Sequence, residues 1–203
     1  MDAQAWDARY GEGQLVWGME PNTFVAAELG TTPPGRALDV ACGEGRNAIW
    51  LAQRGWQVVG IDFSPVGLQQ AAQLANRAGV ADRIDFALID VVTAPLPTGP
   101  FDAVIVAYLQ LAEDPRRVAL RKAAAAVAPG GTLLVVGHDI TNLTEGIGGP
   151  QDPSVLFSPA SLLDDLAGLD GIAVVRAERL HRVVAGADRD AIDALVRVQL
   201  EPH

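Results

Sequence analysis

The sequence has a single cysteine, few basic residues and no long hydrophobic run. With only Cys42 among 203 residues, neither an intramolecular disulfide nor a cysteine-based zinc cluster can form. Lysine and arginine number 15 against 25 aspartate and glutamate residues, a formal net charge of −10. Such a chain repels phosphate backbones and anionic lipids, so we expect neither a nucleic-acid nor a membrane partner. The most apolar stretch, FDAVIVAYLQLA, is too short to span a bilayer.

Length and composition predict one globular domain, residues 1–203, as a monomer or homodimer. The chain is 49% hydrophobic and 20% charged, which is enough apolar material to bury one core. Its Asp and His residues show no spacing typical of a metal site, so we expect no metal. The first residues, MDAQAWDARYGEG, contain early acidic residues and no apolar segment, unlike a secretory signal. Together with the single cysteine, this favours a cytoplasmic protein.

Short apolar runs alternate with amphipathic segments, which predicts right-handed crossovers and a parallel sheet with helices on both faces. Only a loop around Gly186 separates the last two runs, so the last strand should be antiparallel. The predicted fold is α/β: a doubly wound, Rossmann-like, mostly parallel seven-stranded sheet. Its predicted strands are Arg36–Cys42, Gln57–Phe63, Arg83–Asp90, Phe101–Tyr108, Gly131–Asp139, Ile172–Leu180 and Ala191–Leu200.

Helical periodicity lies between these runs and ahead of them. Residues 1–30 contain two short helical pieces that precede the sheet, and we expect them to form either a lid over a pocket or cover for a sheet edge. Residues 36–203 form the sheet and its helices. The predicted helices lie around Trp6–Tyr10 and Asn22–Leu29, between the first strand and Gly55, and over Ser64–Gly79, Asp114–Val127 and Ser158–Leu166.

The most informative stretch is LDVACGEGRNAIWLA, in which a strand ends, Gly43 and Gly45 make a tight turn and a helix begins. Without Cβ atoms, such a turn lets the backbone approach a ligand closely, at the strand ends where open parallel sheets bind ligands. Asp62 ends the next strand, 62 − 43 = 19 residues after Gly43. An acid at this distance can accept hydrogen bonds from both hydroxyls of a ribose. The turn also satisfies G-x-G-x-x-A, so a dinucleotide ligand, or a purely structural turn, stays open.

Asp39 on the first strand and Asp90 with Val91 after the third complete a pattern that resembles the class I S-adenosylmethionine-dependent methyltransferases, over roughly residues 5–200. The resemblance implies S-adenosylmethionine as cofactor and S-adenosylhomocysteine as product, with an acid after the second strand on the ribose and one after the third at the adenine. The family usually has glycine where this chain has Ala41. The cofactor-binding residues expected here are Trp17, Asp39, Ala41, Gly43, Gly45, Asn47, Asp62, Phe63, Asp90, Val91 and Ala107.

The string CGEGRN, followed by WLAQRGWQVVGID, is similar to the tellurite-resistance and thiopurine methyltransferase branch, whose members act on soft or thiol-like acceptors. We therefore expect direct in-line methyl transfer to a small-molecule acceptor. The alternatives are a nicotinamide-dependent oxidoreductase and a non-catalytic nucleotide-ligand-binding protein.

Three further features have two interpretations each. His138 ends the fifth predicted strand and is either the base for a hydroxyl or amine acceptor or a structural histidine. Trp17 either closes over the sulfonium or packs on the sheet edge. The loop from Asn142 to Phe157, rich in glycine and proline, is either a substrate lid or a surface loop.

Overall fold

A seven-stranded sheet organises the computed structural model, which describes residues 3–12, 15–16 and 18–202. The strands are β1 (Arg36–Val40), β2 (Gln57–Asp62), β3 (Ile84–Leu88), β4 (Phe101–Ala107), β5 (Val127–His138), β6 (Ile172–Arg182) and β7 (Ala191–Leu200). Their order across the sheet is β3-β2-β1-β4-β5-β7-β6. β7 is antiparallel to β5 and β6, and the other pairs are parallel, which confirms the predicted topology.

Six α-helices flank the sheet in the described part of the chain: α1 (Ala3–Tyr10), α2 (Thr23–Leu29), α3 (Arg46–Gln53), α4 (Pro65–Arg77), α5 (Glu113–Ala125) and α6 (Pro159–Leu166). Side-chain caps fix several starts. The Ser64 hydroxyl accepts the Gly67 amide at 3.0 Å ahead of Pro65, and Asn22 accepts the amides of the first turn of α2. Three 3-10 turns cover Ala81–Arg83, Ile140–Leu143 and Pro153–Val155.

The two faces of the sheet bury separate apolar clusters, because successive strand residues point to opposite sides. On β4, Val104 and Val106 pack with α5 and α6, whereas Ala103 and Ile105 pack with α2, α3 and α4. Helices therefore cover both faces, as predicted. No helix of the described residues has the length and apolar character needed to cross a membrane.

The start of β5 differs from the prediction. Val127, expected on the apolar face of α5, pairs instead with Phe101 at the beginning of β5. Helix α5 ends at Ala125, and the next carbonyl, that of Ala126, already accepts the Phe101 amide of β4 at 3.0 Å. The stretch around Gly130, expected to separate helix from strand, lies inside β5, where the register with β4 shifts between Phe101 and Ala103.

Candidate active site

Two clefts open where the parallel strands end, and we name them the first and the second cleft. The first lies at the ends of β1, β2 and β4 and beside the loop after β3. It brings together eight of the residues predicted to bind a cofactor: Ala41, Gly43, Asn47, Asp62, Phe63, Asp90, Val91 and Ala107. The rest of its lining comprises Trp6, Tyr10, Cys42, Arg46, Ile89, Val92, Tyr108, Leu109, Gln110 and Leu111.

The glycine turn forms the floor of the first cleft, and α1 forms its roof. Gly43 has a φ of +54°, and a Cβ there would lie 2.6 Å from Oη of Tyr10. Tyr10 stacks on Trp6 with ring centroids 5.4 Å apart. Asp7 of the same helix accepts a hydrogen bond from the Ser64 hydroxyl. These contacts hold α1 against α4 and leave space for only a glycine at position 43.

Asp62 connects the end of β2 to the glycine turn. Its Oδ2 accepts the Gly43 amide at 2.8 Å and its Oδ1 accepts the Ser64 amide at 2.9 Å. Burial raises the pKa of Asp62 above its ordinary value, although these amides act in the opposite direction. Each carboxylate oxygen can accept more than one hydrogen bond, so the side chain can also serve a ligand hydroxyl in the cleft.

Asp90 shapes the far wall of the first cleft. Its carboxylate accepts the Val92 amide and the Thr93 hydroxyl, both at 2.9 Å, and so forms a tight turn after β3. Val91 is buried at this turn. Ile89, Val92, Leu109 and Leu111 add apolar surface, which makes this end of the cleft suitable for a flat, partly apolar group such as an adenine.

Two predicted residues lie outside the lining. Asp39 is 1% exposed and accepts the Ala48 amide at 3.1 Å, so it fastens the start of α3 to β1. Burial raises its pKa to about 7. Gly45, at φ +79°, begins α3 and faces Ala71, whose Cβ would lie 3.0 Å from a Cβ at position 45. Trp17 lies outside the described residues.

The second cleft adjoins the first and shares Arg46, Tyr108 and Gln110 with it. His138, at the end of β5, belongs to its lining. The remaining lining residues are Arg9, Glu20, Pro21, Asn22, Thr23, Ile147, Gly148, Gly149, Pro150, Arg182, Val183, Val184 and Ala191.

Asp193 organises the base of the second cleft. It has no exposed surface, and its Oδ2 accepts the Tyr108 hydroxyl at 2.8 Å and Nε of Arg182 at 2.7 Å. Its Oδ1 lies 3.2 Å from Nδ1 of His138. Burial alone would raise the pKa of Asp193, but the contacts with His138, Arg182 and Tyr108 outweigh it and lower that pKa. A carboxylate whose charged form is favoured therefore lies directly behind the imidazole.

The loop from residue 142 to 157 is anchored next to this site. Asn142 is 2% exposed, accepts the Ile192 amide at 2.7 Å and donates to the Gly148 carbonyl at 2.8 Å. A Cβ on Gly149 would lie 2.9 Å from Nε2 of His138. The loop thus covers the imidazole directly, which is compatible with the substrate-lid hypothesis.

Comparison with known proteins adds the family. A family model described as "Methyltransferase domain" matches residues 37–131. The chain is 36% identical over 146 residues to an uncharacterized methyltransferase of Mycobacterium tuberculosis, covering 71% of this chain and 66% of the relative. It is 35% identical over 122 residues to the tRNA 5-carboxymethoxyuridine methyltransferase of Escherichia coli K12, covering 59% and 46%. Residues 37–131 thus match a methyltransferase domain, and the chain as a whole has the Rossmann-like fold of S-adenosylmethionine-dependent methyltransferases.

A solved structure of the same fold extends over nearly the whole chain. The N-methyltransferase NodS of Bradyrhizobium japonicum, in complex with S-adenosylhomocysteine, has a TM-score of 0.70 at 21% identity, covering 98% of this chain and 97% of that one. The alignments to the curated relatives described above cover no more than two thirds of those relatives' length.

The lining of the first cleft is compatible in its chemistry with S-adenosylmethionine. The glycine turn exposes backbone without a Cβ, and Asp62 presents a buried acid beside it. Arg46, Tyr108 and Gln110 line both clefts, so a ligand that filled the first cleft would border the second.

Sequence reasoning missed Asp193, Tyr108 and Arg182. Tyr108 directly follows β4, so its place at the rim could have been found, although its φ of +58° could not. Asp193 is the register partner of His138 between β5 and β7. Only the register between β5 and β7 brings these two residues together, and no local sequence motif predicts that register.

Proposed function

We propose that this protein transfers the methyl group of S-adenosylmethionine to a small nucleophile held in the second cleft. The observation that carries the proposal is that the first cleft, lined by eight of the predicted cofactor-binding residues, meets a second, more polar cleft at Arg46, Tyr108 and Gln110. When bound, S-adenosylmethionine supplies a methyl group on an already activated sulfonium. The protein then has to hold two reactants in line, an effect that can contribute about 7–11 kcal/mol.

The residues of the first cleft carry the cofactor in this proposal. Asp62 accepts the ribose hydroxyls, Asp90 and Val91 contact the adenine, and the Gly43 backbone lies against the ligand. The other residues proposed for this role are Trp17, Asp39, Ala41, Gly45, Asn47, Phe63 and Ala107. Asp39 and Gly45 would act by holding the turn in shape, because neither lines the cleft.

His138 is the proposed base for a hydroxyl or amine acceptor, with Asp193 as its positioning residue. Nδ1 lies 3.2 Å from the Asp193 carboxylate, so in this proposal a proton on Nδ1 faces that carboxylate and Nε2 accepts one from the acceptor. A thiolate acceptor, as in the tellurite-resistance and thiopurine branch, already lacks its proton and needs no base. That finer branch assignment rests on the CGEGRN string alone.

The described part of the first 30 residues supports a divided role. Trp6, Tyr10 and Arg9 of α1 line the clefts, whereas Val25 and Leu29 of α2 are buried in the core. We therefore propose that α1 is the lid and α2 the edge cover. Hydrogen exchange should slow in α1 when S-adenosylhomocysteine binds and stay constant in α2. Equal exchange of α1 with and without the ligand would make it structural cover.

Calorimetry distinguishes the proposal from its rivals. Isothermal titration should give micromolar binding of S-adenosylhomocysteine and none of NADH, and the reverse result would favour the nicotinamide-dependent oxidoreductase. Release of S-adenosylhomocysteine should then be followed with a panel of small thiols, phenols and amines and with bulk tRNA. Turnover with tRNA alone would move the assignment to an RNA acceptor, and binding without any turnover would favour the non-catalytic binding protein.

The base is tested with His138→Gln against a matched histidine. His138→Gln should slow transfer to a phenol or amine by about 100-fold or more and change transfer to a thiol little above the thiol's pKa. His181→Gln is the control, because His181 is exposed on β6 and lies outside both clefts. Equal losses for all acceptors would make His138 structural.

A further inference from the structure

The second cleft is rich in positive charge in a chain that is strongly negative. Three arginines and one glutamate, Glu20, are the charged residues of its lining, against a net charge of −10 for the whole chain. The arginines come from three separate elements: Arg9 from α1, Arg46 from the first turn of α3 and Arg182 from the end of β6. Because these elements are far apart in sequence, it is the fold that brings the guanidinium groups to one cleft.

Burial lowers the pKa of Arg46, Tyr108 and the Asp39 carboxylate act in the opposite direction, and the charge of Arg182 adds to the lowering. Like charges in one cleft repel each other, and a bound anion would offset that repulsion. Asp193 takes the Nε proton of Arg182, and a guanidinium has four further N–H donors in a fixed plane. Asp193 thus fixes the direction of this side chain, and its carboxylate forms an ion pair with the guanidinium.

Positive charge at this place can bind either the carboxylate of the cofactor's methionine part or a second ligand in the second cleft. The linings of the two clefts distinguish these roles. Arg46 borders both clefts, so it is placed to meet the cofactor. Arg9 and Arg182 line the second cleft alone. The charge of these two residues is therefore directed at the space where the proposed function places the acceptor.

We infer that the acceptor of this methyltransferase carries an anionic group, a carboxylate or a phosphate, that Arg182 and Arg9 bind in the second cleft. This inference rests on the proposed function. Charge-assisted hydrogen bonds to a planar guanidinium suit both anions, and because both arginines line the same cleft as His138, an acceptor bound by them would have its nucleophile in the cleft that holds the base.

Matched probes test the inference on the protein saturated with S-adenosylhomocysteine. The probes are 4-hydroxybenzoate, 4-hydroxyphenyl phosphate and the neutral 4-hydroxybenzamide, with affinities measured by ligand-observed NMR. One of the anions should bind at least about tenfold more tightly than the amide. Whether carboxylate or phosphate is preferred identifies the anion. An amide that binds as tightly as both anions, or two anions that fail to bind, overturns the inference.

Variants assign the preference to the arginines. Arg182→Gln and Arg9→Gln should each reduce the anion preference to about threefold, while Arg182→Lys should retain part of it. Arg77→Gln is the control, since Arg77 is exposed at the end of α4 and should leave the preference intact. Arg9 is itself exposed on α1, so its variant keeps the test valid if Arg182→Gln does not fold.

Cofactor affinity separates failure of this inference from failure of the proposed function. If the wild-type protein does not bind S-adenosylhomocysteine, the proposed function fails and the inference falls with it. If it binds, and Arg182→Gln weakens that binding tenfold without changing the anion preference, the arginine serves the cofactor and only the inference is overturned. Displacement of the phosphate probe by bulk tRNA at micromolar concentration would assign the arginines to RNA and also overturn it.

Discussion

The central hydrogen bonds of the two clefts join residues that differ greatly in their separation along the sequence. In the first, Asp62 accepts the amide of Gly43, a residue 19 positions away. In the second, Asp193 accepts the hydroxyl of Tyr108 across 85 positions. The glycine turn with Asp62 is thus a product of one strand–turn–helix–strand unit, whereas the Asp193 cluster forms only when distant strands of the sheet have assembled.

The difference extends to how each cleft could bind its ligand. Backbone atoms of the glycine turn and apolar side chains dominate the first, which suits a cofactor common to a whole family. The lining of the second includes three arginines and a histidine, with the buried Asp193 behind them, which suits an acceptor particular to this chain. We therefore expect variants of the first cleft to change cofactor affinity, and variants of the second to change turnover.

Blocking the glycine turn is expected to have the largest effect. Gly43→Val places a branched side chain at φ +54°, where its Cβ would lie 2.6 Å from Oη of Tyr10. We expect affinity for S-adenosylhomocysteine to fall by more than about 100-fold in calorimetry, with a folded circular-dichroism spectrum. Gly79→Val is the control, because it has the same kind of strain at φ +70° with no atom within 4 Å. Equal losses in both variants would attribute the effect to backbone strain rather than to the cleft.

Removing the Asp62 carboxylate is expected to have the next largest effect. Loss of a charged acceptor costs about 1.5–3 kcal/mol, so Asp62→Ala should weaken S-adenosylhomocysteine binding roughly ten- to hundred-fold. Part of the loss will come from the glycine turn, whose Gly43 amide loses its acceptor. Asp82→Ala, at an exposed position before β3, should bind normally. An unchanged affinity in Asp62→Ala would remove the ribose role.

The same contrast in range explains which features were predictable. The glycine turn and Asp62 follow from sequence because neighbouring strand ends in a parallel sheet meet at one edge. The mostly parallel sheet with helices on both faces followed from the alternation of strands and helices, and the antiparallel last strand from the short loop around Gly186. Asp193 did not follow, because its partners His138 and Tyr108 depend on the register of β5 and β7. The structural role of Asp39 was hidden for a similar reason, since an acid on a strand gives no sign of which amide it accepts.

The second cleft is tested at Asp193. Asp193→Asn removes the charge behind His138 while preserving size, and we expect turnover with a hydroxyl acceptor to fall by about tenfold or more, with cofactor affinity within threefold of wild type. The pH profile of turnover should shift as well, which a merely structural residue would not cause. Asp190→Asn, directly before β7 and with a side chain that is 42% exposed, is the control. A loss of cofactor affinity equal to the loss of turnover would break the division between the clefts.

Asp39 should make stability depend on pH. Its native pKa is about 7, above the unfolded value near 3.9, so between these values the native state keeps a proton that the unfolded state has lost. The free energy of unfolding should therefore fall as pH rises through this window, by up to about 1.4 kcal/mol per pH unit, and level off above pH 7. Asp39→Asn should reduce this slope in denaturant titrations and leave the part that belongs to Asp62, whose pKa is also raised. The exposed Asp82→Asn should retain it, and identical slopes in wild type and Asp39→Asn would refute the assignment.

The smallest expected effect is at Ala41, where the family usually has glycine. Ala41 adopts φ +57°, a left-handed conformation that costs an alanine about 1–2 kcal/mol. Ala41→Gly relieves that strain, but the greater conformational freedom of glycine in the unfolded chain lowers the free energy of unfolding by about 0.4–1 kcal/mol. We expect a net gain below about 1 kcal/mol, measured by thermal unfolding, with cofactor affinity unchanged because the backbone that lines the cleft is kept. Ala78→Gly, at an ordinary φ of −77°, should lose stability instead. If both variants lose stability equally, the first cleft stores no strain at Ala41, and its alanine is as suitable there as the family's glycine.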